Sequence, residues 1–211
     1  RIDGVLVDKA VYPGATDGHS VSLKPDLLRA GDNDSLANFC VSESTGNYDG
    51  FGTPGSANLC GPSCNDGSGF RPVNAPGAGG LVVTEIMANP LSSDSGKEWF
   101  EVYVLGESSI ELNGLKLLAG NGNSTRERSI LVEDGRCLTV EPGSYIVVGG
   151  DEAGDGFELD ANWGASELFY NSGLTFSIES SDGTIVDSVV GPISAGTTSP
   201  PKSHILDAGV L

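Results

Sequence analysis

The sequence predicts an all-β protein made of short strands and many turns, and three observations carry that reading. Its 211 residues include 31 Gly and 11 Pro, the two residues least compatible with a helix interior. The longest stretch free of both, residues 32–45, is polar at its two ends. The apolar runs are short, rich in Val, Ile and Leu, and bounded by Asn-Gly, Asp-Gly or Pro-Gly, which is how strands and their turns are written. Successive runs recur at roughly 8–12 residues, the spacing of a sandwich or barrel. An apolar fraction of 38% is enough for one or two modest cores.

Taken in order, the elements justify themselves locally. Leu81–Met87 (LVVTEIM) is β-branched and stops at Asn89-Pro90. Glu98–Leu105 (EWFEVYVL) alternates Trp99, Glu101 and Tyr103 against Phe100, Val102 and Val104, giving a strand with two distinct faces. Glu111-Leu112 and Leu115–Leu118 flank Asn113-Gly114, where glycine supplies the positive φ of a tight turn. Ser129–Val132, Cys137–Val140 and Tyr145–Val148 follow, separated by Asp134-Gly135 and Pro142-Gly143. Leu174–Glu179 and Thr184–Val190 form a hairpin across Ser181-Asp182-Gly183. Before all of these, Cys60–Gly80 is nearly devoid of aliphatic side chains and reads as a linker. The expected organisation is therefore a segment 1–59, a linker 60–80 and a β domain 81–211.

Charge removes whole classes of function. The chain has 29 Asp and Glu against 11 Lys and Arg, a net charge of −18. Nucleic-acid binding by counterion release needs Lys and Arg, and so does a polybasic membrane patch; neither is expected. No apolar run approaches the roughly 18 residues of a membrane span. No basic stretch followed by an apolar run opens the sequence at Arg1, so a secretion signal is expected to have been removed or to lie outside these residues. The four cysteines, Cys40, Cys60, Cys64 and Cys137, suit an oxidising compartment. Zinc is the competing reading of Cys60-x3-Cys64, but a second close pair of Cys or His is missing, and His19 and His204 stand apart. Four cysteines allow three pairings. The favoured one closes a small loop with Cys60–Cys64 and ties residues 1–59 to the main domain with Cys40–Cys137.

An internal repeat links the ends of the chain. Asp3-Gly-Val-Leu-Val-Asp8 matches Asp182-Gly-Thr-Ile-Val-Asp187 at a constant offset of 179 residues, which Val11 with Val190 and Pro13 with Pro192 maintain. Segment 1–59 thus reads as the closing half of a domain whose opening half is 81–180: either these residues start inside one repeat and end inside the next, or 1–59 supplies closing strands to 81–211. Four motifs then bear a family resemblance: Thr84-Glu-Ile-Met-Ala-Asn-Pro90, Glu98-Trp-Phe-Glu-Val-Tyr103, Leu112-Asn-Gly-Leu-Lys-Leu117 and Glu141-Pro-Gly-Ser-Tyr-Ile-Val-Val148. In this order they resemble the successive strands of the lamin tail domain. Gly52-Thr-Pro-Gly-Ser-Ala-Asn58 is similar to the closing motif of its bacterial versions. The resemblance covers 81–190, with 1–59 as a partial second copy. It departs at Val104, where the family turns with Asn, and in that the closing motif precedes the opening one. It implies an immunoglobulin-like β-sandwich, without catalysis, in a secreted or surface-attached bacterial protein, with neighbouring repeats as partners.

Candidate chemistry is sparse. Glu85, Glu98 and Glu101 are conspicuous carboxylates, and an acid–base pair for glycoside hydrolysis needs two about 5–9.5 Å apart. Glu98 and Glu101, three apart on a strand, fall on opposite faces, which instead predicts one solvated carboxylate and one buried acceptor for backbone amides. No Gly-x-Ser-x-Gly elbow accompanies His19 or any other residue. The loop Asp151-Glu-Ala-Gly-Asp155-Gly-Phe-Glu-Leu-Asp160 clusters oxygen ligands of the type Ca²⁺ takes, with Asp151, Asp155 and Asp160 as its candidate ligands. The alternative is an acidic solvated loop. Trp163, in loop-like sequence beside Phe169 and Tyr170, is the candidate ligand contact, or else a plug over the end of the sandwich. Trp99, on a strand, is expected in the core. No other cofactor is expected.

The function these features predict is that of a non-catalytic extracellular module. It would engage a protein or glycan partner at the cell surface through end loops and strand edges. The second reading is an accessory, substrate-positioning domain of an extracellular nuclease- or phosphatase-type hydrolase.

Overall fold

A computed structural model of the chain describes residues 8–14, 17–42, 50–90, 96–132, 135–153, 156–173, 175–191 and 204–205. They fall into two compact units divided between Val73 and Asn74. Most of the segment Asp3–Asp8 of the proposed repeat lies outside the described residues, as does Pro192.

In the first unit, β1 (Val21–Leu23) pairs antiparallel with β2 (Phe39–Val41), setting Ser22 opposite Cys40. Short 3-10 turns, Asp32–Asp34 and Leu36–Asn38, lie between them in sequence. A parallel bridge from Ser42 to Gly61 carries the chain back alongside β2. The structure differs from the linker reading over residues 60–73, because β3 (Ser63–Asn65) and β4 (Phe70–Pro72) form an antiparallel hairpin. Its polar turn makes its own bonds. Asn65 Oδ1 accepts from Gly67 N at 2.9 Å, and Asp66 Oδ1 accepts from Ser68 N and Ser68 Oγ at 2.9 and 2.7 Å. Local side-chain bonds of this kind order a turn without an apolar core.

The second unit contains a five-stranded sheet and a four-stranded sheet. The first consists of β5 (Leu81–Met87), β6 (Trp99–Val104), β11 (Tyr145–Gly149), β12 (Ala161–Asn162) and β15 (His204–Ile205), in the order β12-β11-β6-β5-β15. The second consists of β8 (Lys116–Gly120), β9 (Thr125–Ser129), β13 (Thr175–Glu179) and β14 (Ile185–Val190), in the order β14-β13-β8-β9. All their pairings are antiparallel except β11 with β12. A two-stranded ribbon of β7 (Ile110–Glu111) and β10 (Thr139–Val140) completes the set. Asn113-Gly114 does turn, with Gly114 at φ 76°, but β7 and β8 on either side go to different sheets. Buried Asn113 spans the crossing: its Nδ2 donates to Arg136 O and its Oδ1 accepts from Leu138 N.

Leu81, Val83, Ile86, Phe100, Val102 and Val148 from the first sheet are buried in one cluster with Leu117, Ala119, Phe176, Ile178 and Val186 from the second. The space among Leu81, Phe100, Leu117 and Ile178 is too small for a water, as expected of an interior packed like an organic crystal. The fold is an all-β sandwich, as the sequence predicts. At one margin the sheets are tied by hydrogen bonds: Val83 N on β5 donates to Asp187 Oδ2 on β14 at 2.7 Å, and Gly79 N to Val186 O at 2.8 Å.

One irregularity decides which residues face outward. Strict alternation from Leu81 and Val83 would send Glu85 inward and Ile86 outward. A bulge between Val83 and Glu85 inserts Thr84 and reverses the parity beyond it. Ile86 is therefore buried and Glu85 lies on the outer face.

Candidate functional site

The carboxylates that drew attention in the sequence have separate fates. Glu98 is 1% exposed, and its Oε2 accepts from Leu168 N at 2.6 Å and Phe169 N at 3.0 Å. It is the buried acceptor, and it pins the chain around Phe169 to the start of β6. Glu101, on the opposite face, accepts from Thr84 Oγ1 at 2.5 Å. The two therefore cannot flank one scissile bond. Buried Glu111 has a role like that of Glu98, its Oε2 accepting from Asn74 N at 2.6 Å.

The calcium candidates are not brought together among the described residues. Asp155 lies outside them. Asp160 caps the edge of β11: its Oδ2 accepts from Val147 N at 2.8 Å while its own N donates to Val147 O at 2.9 Å. Asp151 is exposed and shares no group of three candidate metal ligands.

Trp163 requires a correction as a ligand contact. It is 4% exposed, stacked at 5.9 Å on Phe100 and edge-on to Phe169, with Nε1 donating to Ser166 O at 2.9 Å. Aromatic neighbours and a satisfied indole N–H fix it as core. Trp99 is corrected the other way. It is half-buried on the outer face of β6, edge-on to exposed Phe157 at 5.4 Å.

The disulfide pairing also differs from expectation. Cys40 is bonded to Cys60, with Cα atoms 5.7 Å apart, not to Cys137. The Ser42–Gly61 bridge brings Cys60 beside Cys40 on β2. Cys64 and Cys137 each belong to a disulfide as well, so no described cysteine is a thiol. Oxidised sulfur is not the thiolate that zinc requires, and the disulfides fit an oxidising, extracellular-type environment. No helix among the described residues is long and apolar enough to cross a membrane. His19 stacks on Phe51 at 4.1 Å with Nδ1 2.8 Å from Ser42 O, and His204 lies opposite Ile86 on β15.

What the sequence did not reveal is the grid on the outer face of the five-stranded sheet. Register sets Val82, Tyr103 and Tyr145 side by side across β5, β6 and β11. The next row is Glu85, Glu101 and Val147, and the third is Met87, Trp99 and Gly149. Tyr103 and Tyr145 lie with ring centroids 4.9 Å apart, and Tyr145 is 55% exposed. Alternation in EWFEVYV placed Trp99, Glu101 and Tyr103 on one face, but the bulge that adds Glu85 has no signal in LVVTEIM.

Comparison of the chain with known protein families and with curated proteins found no match.

Proposed function

We propose that the chain is a non-catalytic binding module of a secreted or surface-exposed bacterial protein, with a lamin-tail-like immunoglobulin sandwich over residues 81–211. Its partner is a protein or glycan at the cell surface. One observation carries this reading: among the described residues the buried carboxylates, Glu98 and Glu111, each hold backbone amides. A carboxylate that anchors the fold in this way is not available to exchange protons with a substrate. The oxidised cysteines support the compartment.

Two measurements on the intact, oxidised chain test the proposal. The immobilised chain is expected to retain a component of a glycan array or of a panel of extracellular proteins. Incubation with chromogenic glycosides and phosphodiesters is expected to give no turnover. Hydrolysis by the wild type that disappears in Glu98→Gln, with the fold retained, would overturn the non-catalytic reading.

A further inference from the structure

The outer grid carries two carboxylates in an arrangement that costs stability. Glu85 and Glu101 are direct partners across β5 and β6, a position where like charges repel with Cβ atoms about 4.5–5.5 Å apart. Both are partly buried. No Lys or Arg occurs on β5, β6 or β11, and neither glutamate has an ion-pair partner among the described residues. Glu85 has no hydrogen-bond partner there either, whereas Glu101 is held by Thr84 Oγ1 at 2.5 Å. Thr84 is the residue the bulge inserts, and the bulge is also what turns Glu85 outward. One local device thus creates the paired charge and orients half of it. Aromatic rings border the pair on both sides: Tyr103 and Tyr145 in one adjacent row, Trp99 in the other, each about 7 Å away along the strands.

We infer that this face docks a basic segment of a partner protein, with one Arg or Lys side chain set between Glu85 and Glu101. Charge complementarity selects that occupant. A cation offsets the repulsion between the carboxylates through charge-assisted hydrogen bonds, and the flanking rings attract the same cation by their π faces. A second copy of this chain does not fit, because each copy carries a net charge of −18 and would bring carboxylates to carboxylates. The inference rests on the reading of the chain as a binding module, and it names the surface and the chemistry of the partner.

The test is calorimetric titration of the intact, oxidised chain with an end-capped hexapeptide whose only charges are two Arg, and with the same peptide carrying citrulline in place of both. The Arg peptide is expected to bind at least about tenfold more tightly. Glu85→Gln with Glu101→Gln should lower that affinity about tenfold or more. Glu107→Gln with Glu158→Gln, which removes the same charge from exposed positions, should change it less than about twofold. Tyr145→Ala leaves the charge untouched and should weaken binding about threefold or more. Equal losses in the two double variants would reduce the effect to diffuse attraction by an acidic protein and overturn the site. So would an unchanged affinity in Tyr145→Ala, which decides the matter if the glutamine pair disturbs folding. Absence of wild-type binding overturns this face alone, since the module reading falls to the hydrolysis test instead.

Discussion

Replacing Glu98 is the sharpest perturbation of the fold. In Glu98→Ala, Leu168 N and Phe169 N, both now bonded to Glu98 Oε2 at 2.6 and 3.0 Å, lose their acceptor in a region where Leu168 and Phe169 are themselves buried. Each orphaned buried donor costs about 1–3 kcal/mol, and the truncated side chain leaves a void that adds to the loss. The two donors alone come to about 2–6 kcal/mol and the void adds to that, a large share of the roughly 5–15 kcal/mol that holds a domain together. Glu98→Gln keeps a carbonyl that can take both amides but buries an NH₂ group with new donors to satisfy, so about 1–3 kcal/mol is expected. Urea titration under non-reducing conditions, followed by tryptophan fluorescence, reads the change directly, because Trp163 packs 6.3 Å from Phe169. With a slope near 2 kcal/mol per molar urea, a loss of about 4 kcal/mol moves the midpoint by about 2 M. A shift below about 0.5 M for Glu98→Ala would refute the claim that this carboxylate anchors the Leu168–Phe169 segment.

Three further perturbations have definite outcomes. The Ser68 hydroxyl and amide, with Arg71 beside them, lower the Asp66 carboxyl from 3.8 to about 2. Because the folded value lies below the unfolded one, the turn's contribution is complete above about pH 4 and is lost as the pH falls toward 2. The amide resonances of Gly67 and Ser68 should titrate near pH 2, and a midpoint near 4 would contradict the hydrogen bonds. Cys40→Ser with Cys60→Ser opens a loop of sequence separation 20 and should cost about 3 kcal/mol by the chain-entropy estimate; peptide mapping of the oxidised protein should recover Cys40 joined to Cys60. A Cβ on Gly150 would lie 2.5 Å from the backbone C and O of Gly96, so Gly150→Ala should destabilise by about 1–3 kcal/mol or more. Gly31→Ala, with nothing within 4 Å and no positive φ, should stay within about 0.5 kcal/mol of wild type when the two thermal melts are compared.

Local patterns made the strands of the main domain legible where burial and β-propensity coincide. Leu81–Met87 is a strand over those same residues, and Tyr145–Val148 and Thr184–Val190 differ from β11 and β14 by one residue at one end. They failed where the two part company. Thr125–Ser129 (TRERS) forms β9, while the sequence points to the more apolar Ser129–Val132. β9 is the margin of its sheet, where charged residues guard an open edge and apolar patterning is no guide. Ala161–Asn162 and Ser63–Asn65 are too short to show any period. The split between Glu98 and Glu101 was readable from their spacing, because face alternation is a local property of one strand. The Cys40–Cys60 bond was not, because it follows from a bridge between Ser42 and Gly61, and pairing of this kind is set by the rest of the fold.

The same distinction explains why the outer face stayed hidden while the core did not. A core position announces itself by being apolar, whatever its partners across the sheet. A recognition face is defined by which polar and aromatic residues become neighbours, and that depends on register. Glu85 and Glu101 are separated by a segment that includes residues 91–95, and one inserted residue, Thr84, decides whether they meet. Without the bulge the alternation begun by Leu81 and Val83 would bury Glu85 and expose Ile86, a sacrifice of apolar burial on the order of 2 kcal/mol before the cost of the buried charge. Burial of Ile86 therefore stabilises the bulge, and the bulge sets the carboxylates side by side. The repulsion between Glu85 and Glu101 is tolerated because the core beneath holds the register that produces it.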